Sequence, residues 1–271
     1  MSSVVLLRGS GDLGSGVALR LHRAGLQVVI TELPQPLVIR RLVSFAEAVY
    51  QGEFTVEGVR AKRVTAPEEV FPVLTAGEIP VLIDPQLRSL DKLKPSVLVD
   101  ARMTKTSPDV GRRAAPLVIG LGPGFVAGEN CHAVIETKRG HFLGRVYWQG
   151  TSQPNTGVPE AIAGHDADRV LRSPAEGQLI VHAQIGDILD AGDLIAEVGG
   201  KRLQAPFHGV LRGMLHAGVQ VHKGMKIGDL DPRADPRYCT LVSDKALAIG
   251  GGVLEAILSR PDLHARLWDP G

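Results

Sequence analysis

A strand that runs into a glycine-rich turn and a helix opens the chain, and two half-repeats offset by 32 residues lie near its end. Between them come further short apolar runs, each long enough for one buried strand. Together these observations predict an α/β fold: a Rossmann-like parallel sheet joined to an all-β barrel-sandwich domain.

The opening unit is read from Val4–Leu7, an apolar strand that enters Arg8-Gly9-Ser10-Gly11-Asp12-Leu13-Gly14. Val17, Ala18, Leu21 and Ala24 then share one helical face, and Gly25 stops the helix. A second strand, 27–31, ends at Glu32. Strand, glycine turn, helix, strand and acid is the order of a dinucleotide-type βαβ unit. Residues 36–48 read as a helix, 54–56 and 59–62 as a hairpin around Glu57-Gly58, and 67–74 as a short helix. Strands at 80–83 and 97–99 complete a Rossmann-like nucleotide-binding domain over residues 1–110.

Residues 111–165 hold apolar strands at 117–121, 132–136 and 142–148, as a linking subdomain or an extension of the first sheet. The half-repeats follow. Pro174-Ala-Glu-Gly177 matches Pro206-Phe-His-Gly209, and the same offset relates Gly186 to Gly218, Gly192 to Gly224 and Ile195 to Ile227. A half-unit of this size buries too little alone, so 172–198 and 204–230 are expected to pack together within a domain spanning 166–232. That arrangement resembles a biotinyl/lipoyl-type module. Lys201 stands in Gly199-Gly-Lys-Arg202, away from the context of a carrier lysine, so no covalent biotin or lipoate is expected. Residues 233–271 form a connection and a helix near 252–258.

The 271-residue chain has a formal charge of +1 and 4% aromatic residues. This balance gives no bulk reason to expect a nucleic-acid partner and little material for stacking bases. The most apolar long window, 241–258, contains Asp244, Lys245 and Glu255, so no membrane span is expected. Cys131 and Cys239 form no metal-binding spacing, and the nine histidines are dispersed, so no metal site is expected. The absence of a leader-like segment and the cysteine usage point to the cytoplasm. A homodimer is the prior for oligomeric state.

Candidate ligand contacts cluster where strands end, because open α/β sheets bind ligands beyond the carboxyl ends of their strands. Gly9, Gly11 and Gly14 would let backbone approach a phosphate at a helix N-terminus, and Glu32 would accept from ribose hydroxyls. Arg8 and Asp12 within that motif suggest something other than a plain NAD site. Asp100, Arg102 and Lys105 follow another strand and suit a phosphate-bearing ligand. Gly122 and Gly124 in Gly120-Leu-Gly-Pro-Gly124 would approach phosphate or a pterin-like ring, or make a sharp connection. Arg40 and Arg41 offer an anion contact or a solvated helix face. Glu136, Arg139, His141 and Asn155-Thr-Gly157 are polar, but no nucleophile–base–orienter set emerges from spacing, so no catalytic residue is assigned.

Taken together, Leu121-Gly-Pro-Gly-Phe125, Val134–His141, Pro154-Asn-Thr-Gly157, Arg8–Gly14, Arg40-Arg41, Val99-Asp100-Ala101 and Gly250–Glu255 span nearly the whole chain. With them the sequence resembles the YqeB-type accessory proteins of selenium-dependent molybdenum hydroxylase systems. The resemblance implies an accessory factor that binds or delivers a phosphate-bearing pterin or nucleotide cofactor during molybdenum hydroxylase maturation. The ligand would be of molybdopterin or dinucleotide type, and the partner the hydroxylase or a maturation protein. Two alternatives stay open: a nucleotide-dependent enzyme acting on the molybdenum cofactor, and a non-catalytic assembly protein.

Overall fold

Apolar runs of three to five residues are suited to strands covered on both faces, and here they form the inner strands of one sheet, three of which end in a charged residue. The computed structural model describes residues 3–104, 106–154 and 168–268. The chain divides into two units. The first comprises Met1–Pro36, Ser44–Asn155 and Val242–Gly271, the second Leu37–Val43 and Thr156–Leu241.

In the first unit β1 (Val5–Arg8) leads into α1 (Asp12–Arg23) and then β2 (Val28–Glu32). Helix α2 (Glu47–Gln51) precedes the hairpin of β3 (Glu53–Val56) and β4 (Val59–Val64). Helix α3 (Val70–Thr75) leads to β5 (Ile79–Ile83), and α4 (Leu90–Leu93) to β6 (Val97–Asp100). Strands β7 (Leu117–Leu121), β8 (Ala133–Ile135) and β9 (Val146–Tyr147) continue the same sheet. Its order is β3-β4-β5-β2-β1-β6-β7-β8-β9. Neighbours from β4 through β8 run parallel, while β3 and β9 close the edges antiparallel. One face carries Leu6, Val29, Leu98, Val118 and Val134, packed with Phe125. In register, Arg8 lies between Thr31 and Asp100.

The second unit contains β10 (Val170–Arg172), β11 (Gly177–Val181), β12 (Ile188–Leu189), β13 (Leu194–Val198) and β14 (Lys201–Gln204). It continues with β15 (Gly209–Met214), β16 (Gln220–Val221), β17 (Lys226–Asp231) and α5 (Arg237–Thr240). Two four-stranded sheets result, β10-β17-β15-β12 and β14-β13-β11-β16. The repeat offset carries β11, β12 and β13 onto β15, β16 and β17, so each half lends its short middle strand to the other half's sheet. Leu179, Ile195, Val198, Leu211, Ile227 and Leu230 are buried in one shared core, which neither half could close alone.

Beyond α5 the chain returns to the first unit as α6 (Asp244–Leu258) and α7 (Pro261–Trp268). Ser243 caps α6, its hydroxyl accepting from Ala246 N. Helix α6 starts earlier than expected and runs straight through Gly250-Gly-Gly252, residues of low intrinsic helix propensity. Packing explains why: a Cβ on Gly250 would lie 2.8 Å from Gly16 O, and one on Gly252 would overlap Gly144 O. Close contact with neighbouring backbone thus requires the glycines that propensity disfavours.

The expected fold class, a Rossmann-like parallel sheet followed by a biotinyl/lipoyl-like barrel-sandwich domain, is corrected on these observations. The sheet is mixed, with nine strands and antiparallel edges, and the two units interleave along the chain. The helix expected over 36–48 is also replaced. Ile39 O, which a helix would use internally, accepts from Met214 N at 2.9 Å, so residues 37–43 join the second unit.

Candidate functional site

The first unit gathers charged side chains at the carboxyl ends of its parallel strands. Arg8, the last residue of β1, is 3% exposed. Its Nη1 and Nη2 donate to the two carboxylate oxygens of Asp109 at 2.6 and 2.9 Å, and Nη2 also donates to Pro85 O at 2.6 Å. Asp100, on the adjacent strand, lies 3.8 Å from the same guanidinium. Arg102 completes the group. Its Nε and Nη2 donate to Asp100 at 3.0 and 2.6 Å, and its Nη2 donates to Asp109 at 2.7 Å.

Two guanidiniums therefore share two carboxylates of very different standing. Asp100 is buried at the strand end, whereas the Asp109 side chain is 58% exposed and arrives from a loop. Hydrogen bonds from Arg8 and then Arg102 hold the Asp109 carboxyl well below the usual carboxylate range. Arg8 Nε is buried and meets no acceptor among the described residues. A paired fork on a carboxylate is the strongest and most directional anion contact that protein side chains make.

The same loop covers the glycine turns. Gly9 has φ +89°, and a Cβ there would sit 3.2 Å from Arg102 Cγ. At Gly122 it would lie 2.6 Å from Thr137 Oγ1 and 3.1 Å from Met103 Cε, and at Gly124 2.8 Å from Thr104 O and 3.0 Å from Thr106 O. Residues 102–104 and 106–109 thus lie against turns that leave β1 and β7.

Glu32 and the opening turn behave differently from expectation. Ser10 N and Leu33 N donate to the buried Glu32 carboxylate at 2.5 and 2.9 Å, and Ser10 Oγ donates at 3.1 Å. The Ser10 amide available to a phosphate is therefore taken by the residue expected to hold ribose. Gly11 precedes α1 with φ −63°, and Asp12 is its first residue. Gly14 packs against Gly9 O and Ala101 Cβ, a close strand–helix approach.

Among the candidates, Arg8, Gly9, Asp100 and Arg102 come together, with Gly122 and Gly124 reached by the same loop; Lys105 lies outside the described residues. Asp109 was missed, because a Pro-Asp pair in a polar loop carries no signal of its partner seven residues earlier. Glu136 is wholly buried and accepts from Lys138 N and Gln153 N, each at 2.8 Å, which fastens two loops. His141 stands edge-to-face with Phe142, and Asn155, Thr156 and Gly157 lie outside the described residues. In the second unit, Arg40 donates to Tyr238 O and Leu241 O, and Arg41 to Met214 O. These contacts fasten residues 37–43 within the second unit. Among the described residues no three His, Cys, Asp or Glu side chains group as a metal site, and no helix is long and apolar enough to cross a membrane.

No family model matches the chain. It is 50% identical over 255 residues to "Uncharacterized protein YqeB" of Escherichia coli (strain K12), a match covering 94% of this chain and 47% of that protein. The chain thus spans about half the length of the curated relative it matches. Similar solved structures include a succinylglutamate desuccinylase from Silicibacter sp. TM1040, with 14% identity, 84% of each chain covered and a TM-score of 0.25. An aspartoacylase family protein from Mesorhizobium loti gives 13%, 85% of each chain and 0.28. A succinylglutamate desuccinylase/aspartoacylase from Rhodobacter sphaeroides gives 15%, 84% of this chain and 85% of its own, and 0.25. At such TM-scores these likenesses assign this chain no activity.

The expected ligand and role are corrected on the geometry of the strand ends. The geometry supplies the physical reason. Glu32 occupies the Ser10 amide, and Asp109 occupies the Arg8 and Arg102 guanidiniums. A molybdopterin-type or dinucleotide ligand, and with it cofactor delivery in molybdenum hydroxylase maturation, is not carried forward.

Proposed function

We propose that the first unit is a receptor for a small carboxylate-bearing molecule, recognised by Arg8 and Arg102 with Asp100 holding both guanidiniums in place. The single observation that carries this reading is the paired contact of the buried Arg8 with Asp109, a carboxylate presented from a half-exposed loop position. Burial orients Arg8 in advance, so little side-chain freedom is lost when an anion binds. A carboxylate matches the fork in shape, and Asp109 is the chain's own copy of that ligand group. The unpaired Arg8 Nε leaves one further donor direction for a ligand oxygen or a bridging water.

The test is calorimetric titration of acetate and succinate into the wild type, Asp109→Ala and Arg102→Gln, with phosphate as a contrasting anion. Asp109→Ala removes an internal competitor and is expected to bind succinate at least tenfold more tightly than the wild type. Arg102→Gln is expected to lose that gain. Absence of carboxylate binding to folded Asp109→Ala up to roughly 10 mM, within the effective-concentration range of a tethered competitor, would overturn the reading.

A further inference from the structure

Strands β7 and β8 have their amino ends away from the Arg8 cluster, and there a cavity of about 690 Å³ is lined by Gly111, Arg112, Arg113, Glu129 and His132. Arg112 and Arg113 stand in the turn that enters β7, and Glu129 in the turn that enters β8. Arg112 Nη1 donates to Gly128 O at 2.7 Å and ties the two turns together. Half-buried His132 is held twice by β7. Its amide donates to Val118 O at 2.8 Å, and its Nδ1 accepts from Val118 N at 2.9 Å. A neutral ring that accepts through Nδ1 carries its proton on Nε2, so His132 keeps a donor. Cations are in excess around it. Among the described residues the side chains of Arg113 and Glu129 make no hydrogen bond or ion pair, although both line the cavity. The partner of Arg112 is an uncharged carbonyl. Nearby Arg260 is paired with Asp262, at 2.9 and 2.8 Å, yet after burial its charge and that of Arg112 still lower the pKa of His132.

We propose that this cavity is an oxyanion site, in which Arg112, Arg113 and the Nε2–H of His132 hold a tetrahedral dianion. The site stands apart from the Arg8 cluster and does not depend on the carboxylate-receptor reading. Arg112 and Arg113 against Glu129 leave a net of one positive charge around the cavity, and like charges gathered at a concave surface raise the local concentration of anions. The donors come from two adjacent residues of one turn and from the start of a different strand. Separate directions of approach suit oxygens arranged as a tetrahedron better than the two coplanar oxygens of a carboxylate. The ligand class is therefore a free tetrahedral oxyanion such as sulfate or inorganic phosphate. A bound dianion would offset the Arg112 and Arg260 charges at His132, so binding and protonation of that ring favour each other.

Histidine-ring NMR of the wild-type protein tests the site, with His132 assigned by the resonance missing from His132→Asn. Sulfate is the probe, because its charge stays constant while the ring titrates. In saturating sulfate His132 is expected to titrate about 0.5 pH unit or more higher than in sodium chloride of equal ionic strength. The chloride control is needed because screening alone weakens the field of Arg112 and Arg260. Arg113 and Glu129 are exposed, so their replacement leaves the fold intact. Followed at the His132 resonances, Arg113→Gln is expected to weaken sulfate binding by about threefold or more, and Glu129→Gln to tighten it by about two- to threefold. Acetate is expected to bind there about tenfold more weakly than sulfate. Equal His132 titration in sulfate and in chloride, or sulfate affinity that neither substitution changes, would overturn the proposal. Acetate binding as tightly as sulfate would overturn the tetrahedral ligand class.

Discussion

Replacing Gly16 with alanine places a methyl group in the close contact between α1 and α6. Its Cβ would lie 2.6 Å from Ala246 Cβ and 2.9 Å from the Ala246 carbonyl carbon and oxygen. Carbon atoms pack comfortably at about 3.5–4.0 Å, so α6 must move locally by roughly 1 Å, and backbone cannot rotate aside as a side chain would. Overpacking of this kind costs about 1–3 kcal/mol, against a helix-propensity gain of up to about 1 kcal/mol. With the obstruction in the backbone, a net loss of about 1–2 kcal/mol is expected. Gly251 supplies the matched control, since a Cβ there meets nothing within 4 Å. Gly251→Ala should stabilise by up to about 1 kcal/mol. Both tryptophans, Trp148 and Trp268, belong to the first unit, so tryptophan emission during urea unfolding reports that unit alone. The two variants should move its midpoint in opposite directions, Gly16→Ala downward by roughly 0.5 M at an m-value of about 2–3 kcal/mol/M. A Gly16→Ala midpoint equal to or above that of Gly251→Ala would refute the packing argument.

Cys131 and Cys239 are both buried, and burial pushes the Cys131 thiol up to about 11. Neither should react with a thiol reagent at neutral pH within the time both react in denaturant; rapid native labelling of either would contradict the packing. His132 accepts a hydrogen bond from Val118 N through Nδ1, and its pKa is lowered by burial and then by Arg112 and Arg260. The unfolded chain therefore takes up this proton at higher pH than the folded chain, and stability falls as pH drops through about 6.5. Urea midpoints read from tryptophan emission should decline between pH 7 and about 5. His132→Asn should flatten that decline, and an unchanged slope would remove His132 as its source.

Local pattern makes much of this molecule legible. The apolar runs of β1, β6 and β7, the hairpin of β3 and β4, and the glycine spacing of the half-repeats each encode their element within a few residues. Arg8, Asp100 and Arg102 were accessible because strand ends are recognisable in sequence. Long-range decisions were not. Whether Glu32 serves a ribose or the Ser10 amide depends on a distance of 2.5 Å between positions 22 residues apart. Asp109 belongs to Arg8 only once β6 lies beside β1. The 36–48 segment reads as a helix in sequence, yet Ile39 O finds a partner in Met214, far along the chain. In each case a tertiary partner outweighed a local preference.

The return of α6 to α1 also bears on how the polypeptide is made. Helix α1 ends at Arg23 and its packing partner begins at Asp244. At usual synthesis rates the second waits roughly 10–45 s behind the first. During that interval the β unit, whose halves lie close in sequence, can complete its shared core. The apolar face around Val17 and Leu21 remains without its neighbour. The interval is a window for chaperone capture or self-association, and it closes only when Ala246 and Gly250 emerge to meet Gly16.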